Sequence, residues 1–300
     1  MTPHLLTLED GMTRLTLAPH IGGSILDWRL IASNQPLLRN SRADALASGS
    51  ANQLACYPLV PWSNRVGGGG FNGPDHWFAL APNSPPGPLP IHGSGWQQAW
   101  AVKEHSSRHA CLQLDSTIPF AYSAQLIYTL RDGQLNIELK VTHQDKHAAW
   151  HGLGLHPYLP RTANTRLQAK TTKVWLCDAQ GLPTDCVPLP AEWDFNQGNS
   201  LPQSRLDNCF TEWDGHARII QPDLGYTLEC QASGTEYCLV YCPPGEDFFC
   251  FEPVTHPVNA HHLPGHPGLT LLHKGQTMGV SCKLHVKDLS RDASSLKLKP

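Results

Sequence analysis

Charge is what this sequence has little of. Asp, Glu, Lys and Arg make up 16% of its 300 residues, against roughly 25% in an average soluble domain. The net charge is only −3, which gives no electrostatic reason to bind nucleic acid or an anionic membrane surface. No apolar run approaches the roughly 20 residues needed to span a bilayer. Met1 to Gly11 lacks a basic segment followed by an apolar one, so no signal peptide is expected there. No stretch of twelve or more residues carries a helical apolar stripe. The four glycines Gly67–Gly70 are followed by no Gly-Lys-Ser/Thr, which excludes a phosphate loop. The ten cysteines are scattered and fit no secreted disulfide framework; Cys238 and Cys242 have no second pair with which to form a zinc knuckle. Reduced thiols in a cytoplasmic protein are the expectation.

Turn formers are plentiful: 25 glycines and 26 prolines punctuate short apolar runs. Leu135, Ile137, Leu139 and Val141 alternate with Asn136, Glu138 and Lys140, the period of a half-buried strand. Gln125–Leu130 precedes it, and Arg131-Asp132-Gly133 between them predicts a hairpin. Further strands are expected at Arg14–Leu17, Cys111–Leu114, Arg218–Ile220, Tyr226–Cys230, Tyr237–Tyr241 and Met278–Leu284. The proline-rich 82–90 segment and the His/Pro/Gly-rich 259–268 segment read as loops. The fold class expected is all-β, a large antiparallel β-sandwich formed by one domain over residues 1–287, with a polar tail at 288–300.

Five segments concentrate polar groups beside glycine, proline and aromatic residues, each supplying candidates for a site on a rigid scaffold. Asn64 and Arg65 precede the four glycines, where a guanidinium can reach a ligand's hydroxyls with several donors. His92 opens His-Gly-Ser-Gly-Trp, with Trp96 beside it. His156 lies two residues after Gly154, before Pro157-Tyr158, and an imidazole near neutrality suits a general acid. Asp207 can accept bonds from two adjacent hydroxyls. Glu252 ends an apolar run, Asp247 to Phe251, where a carboxylate is costly to desolvate without partners and can serve as a base. His256, His261, His262 and His266 match no metal-ligand spacing. Among nine tryptophans, Trp62, Trp77, Trp96, Trp100 and Trp213 fall in or near these segments; most are expected in the core.

Together these segments resemble the aldose 1-epimerase, or galactose mutarotase, family. Asn64-Arg65-Val66 with Gly69 and Phe71 is similar to its N-R-[IV]-x-x-G-x-F signature. His92-Gly93-Ser94-Gly95 resembles its H-G-x-G segment, His156-Pro157-Tyr158 its H-x-Y element, Asp207 to Phe210 its D-x-x-F element, and Glu252 to His256 its E-P-x-[ST]-H element. The five lie in family order along nearly the whole chain. The resemblance implies a cofactor-independent isomerase acting on a small-molecule sugar, as a monomer or homodimer. Glu252 would take the proton of the anomeric hydroxyl and His156 would protonate the ring oxygen. Arg65, His92 and Asp207, with Asn64, Trp96 and Tyr158, would hold the sugar. An ionised glutamate and a protonated histidine, facing each other from opposite sides of the ring, suffice for such a reaction. The sequence departs from better-known galactose enzymes around His156 and at Asn259, which leaves the sugar open. An anionic hexose, with Arg161 as a second cation, is one alternative; a sugar-binding protein without catalysis is another.

Overall fold

Strand-forming alternation dominates the chain, and the structure, a computed structural model, is built accordingly. It describes residues 5–41 and 44–288; from residue 289 onward the expected polar tail lies outside the described residues. The longest helix among them is the four-residue Ala45–Ser48. Leu135, Ile137, Leu139 and Val141 are buried along the strand Gln134–His143. That strand pairs with Tyr122–Arg131 through the two-residue turn Asp132-Gly133, whose positive φ values of 51° and 76° suit the right-handed twist of a tight hairpin. The six other expected strands are all present, each extended by one to five residues.

A nine-stranded antiparallel sheet runs from Asn199–Ser200 at one edge to Ala101–His105 at the other, with Tyr226–Ser233, Thr277–Asp288, Gln134–His143 and Tyr122–Arg131 at its centre. A second sheet orders Pro183–Pro188, Lys173–Cys177, Leu206–Thr211, Tyr237–Cys242, Phe248–Val254, Gly154–Leu155 and Pro58–Leu59, with Tyr158–Pro160 also paired to Phe248–Val254. Side chains alternate across a strand, so the second sheet has two different faces. Phe249, Phe251, Val240 and Phe210 join Leu135, Ile137, Leu126 and Leu228 of the first sheet in one apolar core. Cys250, Leu239, Cys209 and Tyr158 belong to a separate, smaller cluster on the opposite face. The candidate site lies on that second face. All ten cysteines are free, and Cys238 and Cys242 are buried core side chains. No helix among the described residues is long and apolar enough to cross a membrane.

A three-stranded sheet, Leu6–Glu9, Thr13–Ala18 and Ser24–Leu30, is fastened to the large one by a buried carboxylate. Asp10 Oδ1 accepts the amides of Met12 and Thr13 at 3.0 and 2.8 Å, while Oδ2 accepts the amide of Gly133 at 2.7 Å. Hydrogen bonds to a charged group contribute about 1.5–3 kcal/mol each, and their loss strands buried donors. Asp10→Ala is expected to lower stability by about 2–4 kcal/mol in urea unfolding; a change below about 0.5 kcal/mol would show that the fastening is immaterial.

Candidate active site

Register brings the two proton-transfer candidates together. Gly154 pairs with Val254 and Tyr158 with Cys250, which places His156 opposite Glu252 in the interrupted stretch of ladder between them. On its other side Leu155 pairs with Pro58, and the His156 amide donates to the Tyr57 carbonyl at 2.9 Å. Glu252 is in turn opposite Leu239. Tyr57, His156, Glu252 and Leu239 therefore form one cross-strand row, and directly opposed side chains are within contact range. His156 Nε2 lies 3.4 Å from Glu252 Oε1, with both side chains buried.

Around the pair is a cavity of about 230 Å³, sized for a single sugar ring. All eight sequence-derived candidates line it: Glu252, His156, Arg65, His92, Asp207, Asn64, Trp96 and Tyr158. Asn52, Tyr57, Arg205 and Tyr241 line it as well, and these the sequence reading missed. Tyr57 precedes a short proline-flanked strand and carries no motif of its own. Tyr241 belonged to an expected strand, and its place opposite both Asp207 and Cys250 emerges only from the register. Trp62, Trp100 and Trp213 are core residues and Trp77 is exposed, so of the five noted tryptophans Trp96 alone lines the cavity.

The loops that present Arg65 and His92 are locked to each other. The His92 amide donates to the Asn64 carbonyl at 3.0 Å, and the Asn64 amide donates to His92 Nδ1 at 3.0 Å. The ring proton of neutral His92 is therefore on Nε2. Burial, with help from His156 and Arg65, holds the His92 pKa well below the usual imidazole range. Both residues have left-handed backbones, φ 55° at Asn64 and 61° at His92, a conformation concentrated at functional sites. The glycine after His92 has a steric cause: a Cβ on Gly93, φ +63°, would lie 2.3 Å from the Val60 carbonyl oxygen. Arg65 Nη1 donates to Asn64 Oδ1 at 3.1 Å, and its Nη2 lies 3.5 Å from Asp207 Oδ2. Arg205 Nη2 donates to the same Asp207 oxygen at 3.1 Å.

The remaining motif residues support these. His256 accepts the Ser63 amide on Nε2 at 3.0 Å and donates from Nδ1 to the Pro257 carbonyl at 2.7 Å, which leaves no free nitrogen for a ligand. Asn259 donates its amide to the Arg65 carbonyl at 3.0 Å and accepts the Gly67 amide on Oδ1 at 2.8 Å.

Three expectations need correction. The acid and base are not on opposite sides of the cavity; they are neighbours in one row, because strand register opposes them. Burial also works against an ionised glutamate beside a charged histidine. Burial, reinforced by Asp207, raises the Glu252 pKa well above the ordinary carboxylate range despite Arg65. Burial and the Arg39 charge lower the His156 pKa to about 3. Desolvation favours one proton, held on the carboxyl, and two neutral groups. Finally, Arg161 does not reach the site. It lines a separate cavity of about 850 Å³ with Arg39, Glu246 and Asp247, which lacks the acid–base pair. Arg205 is the second guanidinium at the candidate site.

His156, Cys250 and Glu252 also offer three potential metal-ligand atoms within 4.8 Å of one another. Burial raises the Cys250 thiol pKa well above the usual range.

The site is thus a compact polar cavity on a β-sandwich, lined by two guanidiniums and a buried carboxyl–imidazole pair. Comparison with known proteins gives it a family: the aldose 1-epimerase profile matches residues 4–285, and the chain belongs to that family. It is 32% identical over 295 residues to the uncharacterized protein YphB of Escherichia coli K12, covering 94% of this chain and 99% of the relative. An Escherichia coli K12 crystal structure named only as a candidate aldose 1-epimerase superposes with a TM-score of 0.90 at 32% identity, covering 95% of this chain and 99% of the other. A galactose mutarotase-like protein from Clostridium acetobutylicum shares the fold at 17% identity, with a TM-score of 0.83 and 94% of each chain covered.

The buried histidines also set a pH dependence of stability. His151 and His156 have pKa values lowered to about 3 and His256 to about 4, in each case chiefly by burial. The unfolded chain takes up these protons near pH 6.5 and the native chain only far below. The histidines' contribution to stability is therefore complete above about pH 6.5 and is lost as pH falls toward 3, each contributing at most about 1.4 kcal/mol per pH unit. Urea midpoints measured at pH 7 and pH 5 should fall accordingly; equal midpoints would contradict the burial of neutral imidazoles.

Proposed function

We propose that the chain accelerates interconversion of the α and β anomers of a free aldose by opening and reclosing its ring. The observation that carries this reading is the 3.4 Å contact between His156 Nε2 and Glu252 Oε1 on the wall of a cavity of about 230 Å³. Ring opening removes a proton from the C1 hydroxyl and delivers one to the ring oxygen. Those two oxygens are bonded to the same carbon, so neighbouring acid and base groups suit them better than opposed ones.

In the productive form Glu252 carries the charge and His156 the proton. The carboxylate takes the C1 hydroxyl proton and the O–H pair forms the carbonyl. The bond from C1 to the ring oxygen breaks with its electrons on that oxygen, which takes the imidazole proton. The open aldehyde rotates about C1–C2, and the reverse transfers close the ring on the other face. The pair holds one proton at every stage, first on His156 and then on Glu252. Because the carboxyl-protonated form is the one burial favours, the opened state receives the pair in its relaxed form. The substrate's hydroxyls and the Arg65 charge would favour the productive form when sugar is bound. His92 donates from Nε2, Arg65 from its guanidinium, and Asp207 accepts; Asn64 holds Arg65 in place. Tyr158 offers only its edge, since its two ring faces are covered by His156 and Arg39.

Glu252→Gln and His156→Ala are each expected to lower kcat about 10²–10⁴-fold while sugar binding persists; near wild-type exchange in either would remove that residue from the mechanism. The pH profile is a second check. A second proton enters the pair only near the His156 pKa of about 3, and the alkaline limb is loss of the shared proton. kcat/KM should therefore stay level between pH 7 and pH 5; a limb at about 6.5 would indicate a solvent-like imidazole instead.

One observation favours an anionic sugar as a second reading. With the pair neutral, Arg65 and Arg205 outweigh Asp207 at the cavity. Exchange of a hexose 6-phosphate or 6-sulfonate well above that of the parent sugar, lost in Arg205→Ala, would support it. Equal rates for charged and neutral sugars would leave the neutral aldose.

A further inference from the structure

His156 packs against two tyrosine rings at the cavity wall. Tyr57 lies with its ring centroid 4.6 Å from that of the imidazole and planes at 25°, Tyr158 at 4.7 Å and 24°, and the two tyrosines are 6.3 Å from each other at 47°, fanned around the imidazole. Trp96 stacks on the far side of Tyr57 at 5.6 Å and 26°. On the far side of Tyr158 lies the Arg39 guanidinium, its Cζ 3.4 Å from the ring centroid and 4.7 Å from that of Phe248. Arg39 does not line the sugar-sized cavity; it lines the separate, larger one. A direct contact with substrate is not what keeps it there.

Its attachments are tight for a side chain outside the site. Arg39 Nη2 donates to the carbonyls of Asn52 and Leu54 at 2.5 and 2.8 Å, and the Arg39 amide donates to the Tyr158 carbonyl at 2.8 Å. Asn52 also accepts the Tyr57 hydroxyl on Oδ1 at 2.8 Å. The segment from Asn52 to Leu54 thus ties Tyr57 directly, and Tyr158 through Arg39, beside the imidazole. A guanidinium is planar, always charged and suited to lying on an aromatic face.

We propose that Arg39 is a positioning residue for the acid–base pair: through the Tyr158 ring it holds the His156 imidazole in line with Glu252 and opposes a second positive charge on that ring. This rests on the proton-transfer role given to His156 above. The groups facing the imidazole are Glu252 from the Phe248–Val254 strand, Tyr57 from the segment before Pro58, Tyr158 and Cys250 across the ladder, and His92 at 5.3 Å between ring centroids. None of these is a fixed cation. After burial, Arg39 is the largest influence keeping the ring neutral. The effect is to return the proton to Glu252 once the sugar has left, so that each turnover starts from the same state.

The test uses Arg39→Gln and Arg39→Lys in the full chain, with two readouts. The first is ¹⁵N–¹H NMR of the His156 ring over about pH 5–8 without sugar; the second is kcat and KM for anomer exchange. In the wild type the ring stays neutral throughout. In Arg39→Gln the protonated ring enters that range, kcat falls about tenfold and KM changes less than about twofold. Arg39→Lys keeps the ring neutral and recovers most of kcat. If both variants lower the melting temperature alike while the ring titration and the kcat pH profile do not move, Arg39 is structural only and the proposal fails. Should Arg39→Gln not fold, Arg39→Lys decides: a neutral ring with retained kcat supports the proposal, and a titrating ring overturns it. A wild-type chain without anomer exchange would end the sugar reading, yet the ring titration would still decide the role of Arg39.

Discussion

One proton shared by two buried groups is the constraint on which the site depends. Glu252 and His156 sit opposite each other on neighbouring strands, deep enough that neither charges readily alone. Removing one partner of a buried charged pair costs about 3–5 kcal/mol, so a pair that exchanges a proton internally avoids what a lone ionised residue would incur. Mutarotation suits such a device, since it transfers one proton out and one in at a single carbon and changes no atom count. The neighbouring residues preserve the condition. Tyr57 and Tyr158 pack against the imidazole, the Asn64–His92 lock fixes the donors, and Asp207 is held between two guanidiniums.

The scaffold reaches this arrangement by using one sheet twice. Along Phe248–Val254, Phe249 and Phe251 enter the sandwich core while Cys250 and Glu252 face the other way. Period-2 alternation therefore lets a single strand anchor the fold and present Glu252 to the cavity. The strand that precedes His156 stops at Leu155 and resumes at Tyr158, and in that gap the imidazole turns toward the cavity while its amide is satisfied by Tyr57. The pair is held by strands of the second sheet, Gly154–Leu155 and Tyr158–Pro160 on one side and Phe248–Val254 on the other.

Much of the fold was legible because alternation and turn chemistry are local. Leu135 to Val141 and Asp132-Gly133 specify a hairpin without reference to anything distant. The eight candidate residues were legible for another reason: each alone could be an ordinary strand-end, loop or core residue, but together they fall in five family motifs in order along the chain. What sequence could not supply was register. The expectation set Glu252 and His156 on opposite sides of a ring because the reaction moves two protons in opposite senses, whereas pairing of Gly154 with Val254 and Tyr158 with Cys250 makes them neighbours. Tyr57, Arg39 and Asn52 were missed for the same reason, being ordinary residues whose importance comes only from what they stack on. Arg161 was assigned by proximity in sequence to His156, yet the strand Tyr158–Pro160 carries it away to the other cavity. Protonation states were misjudged because reference pKa values belong to solvated groups, and burial here reverses both.

The central claim is that this cavity performs chemistry on a sugar as well as holding one. NMR exchange spectroscopy at the anomeric proton, run with the wild-type chain across neutral and C6-charged aldoses, measures that directly. The account requires at least one aldose whose α and β signals exchange far faster with protein than without it. Aldoses that bind in the cavity while their anomers exchange at the uncatalysed rate would contradict it.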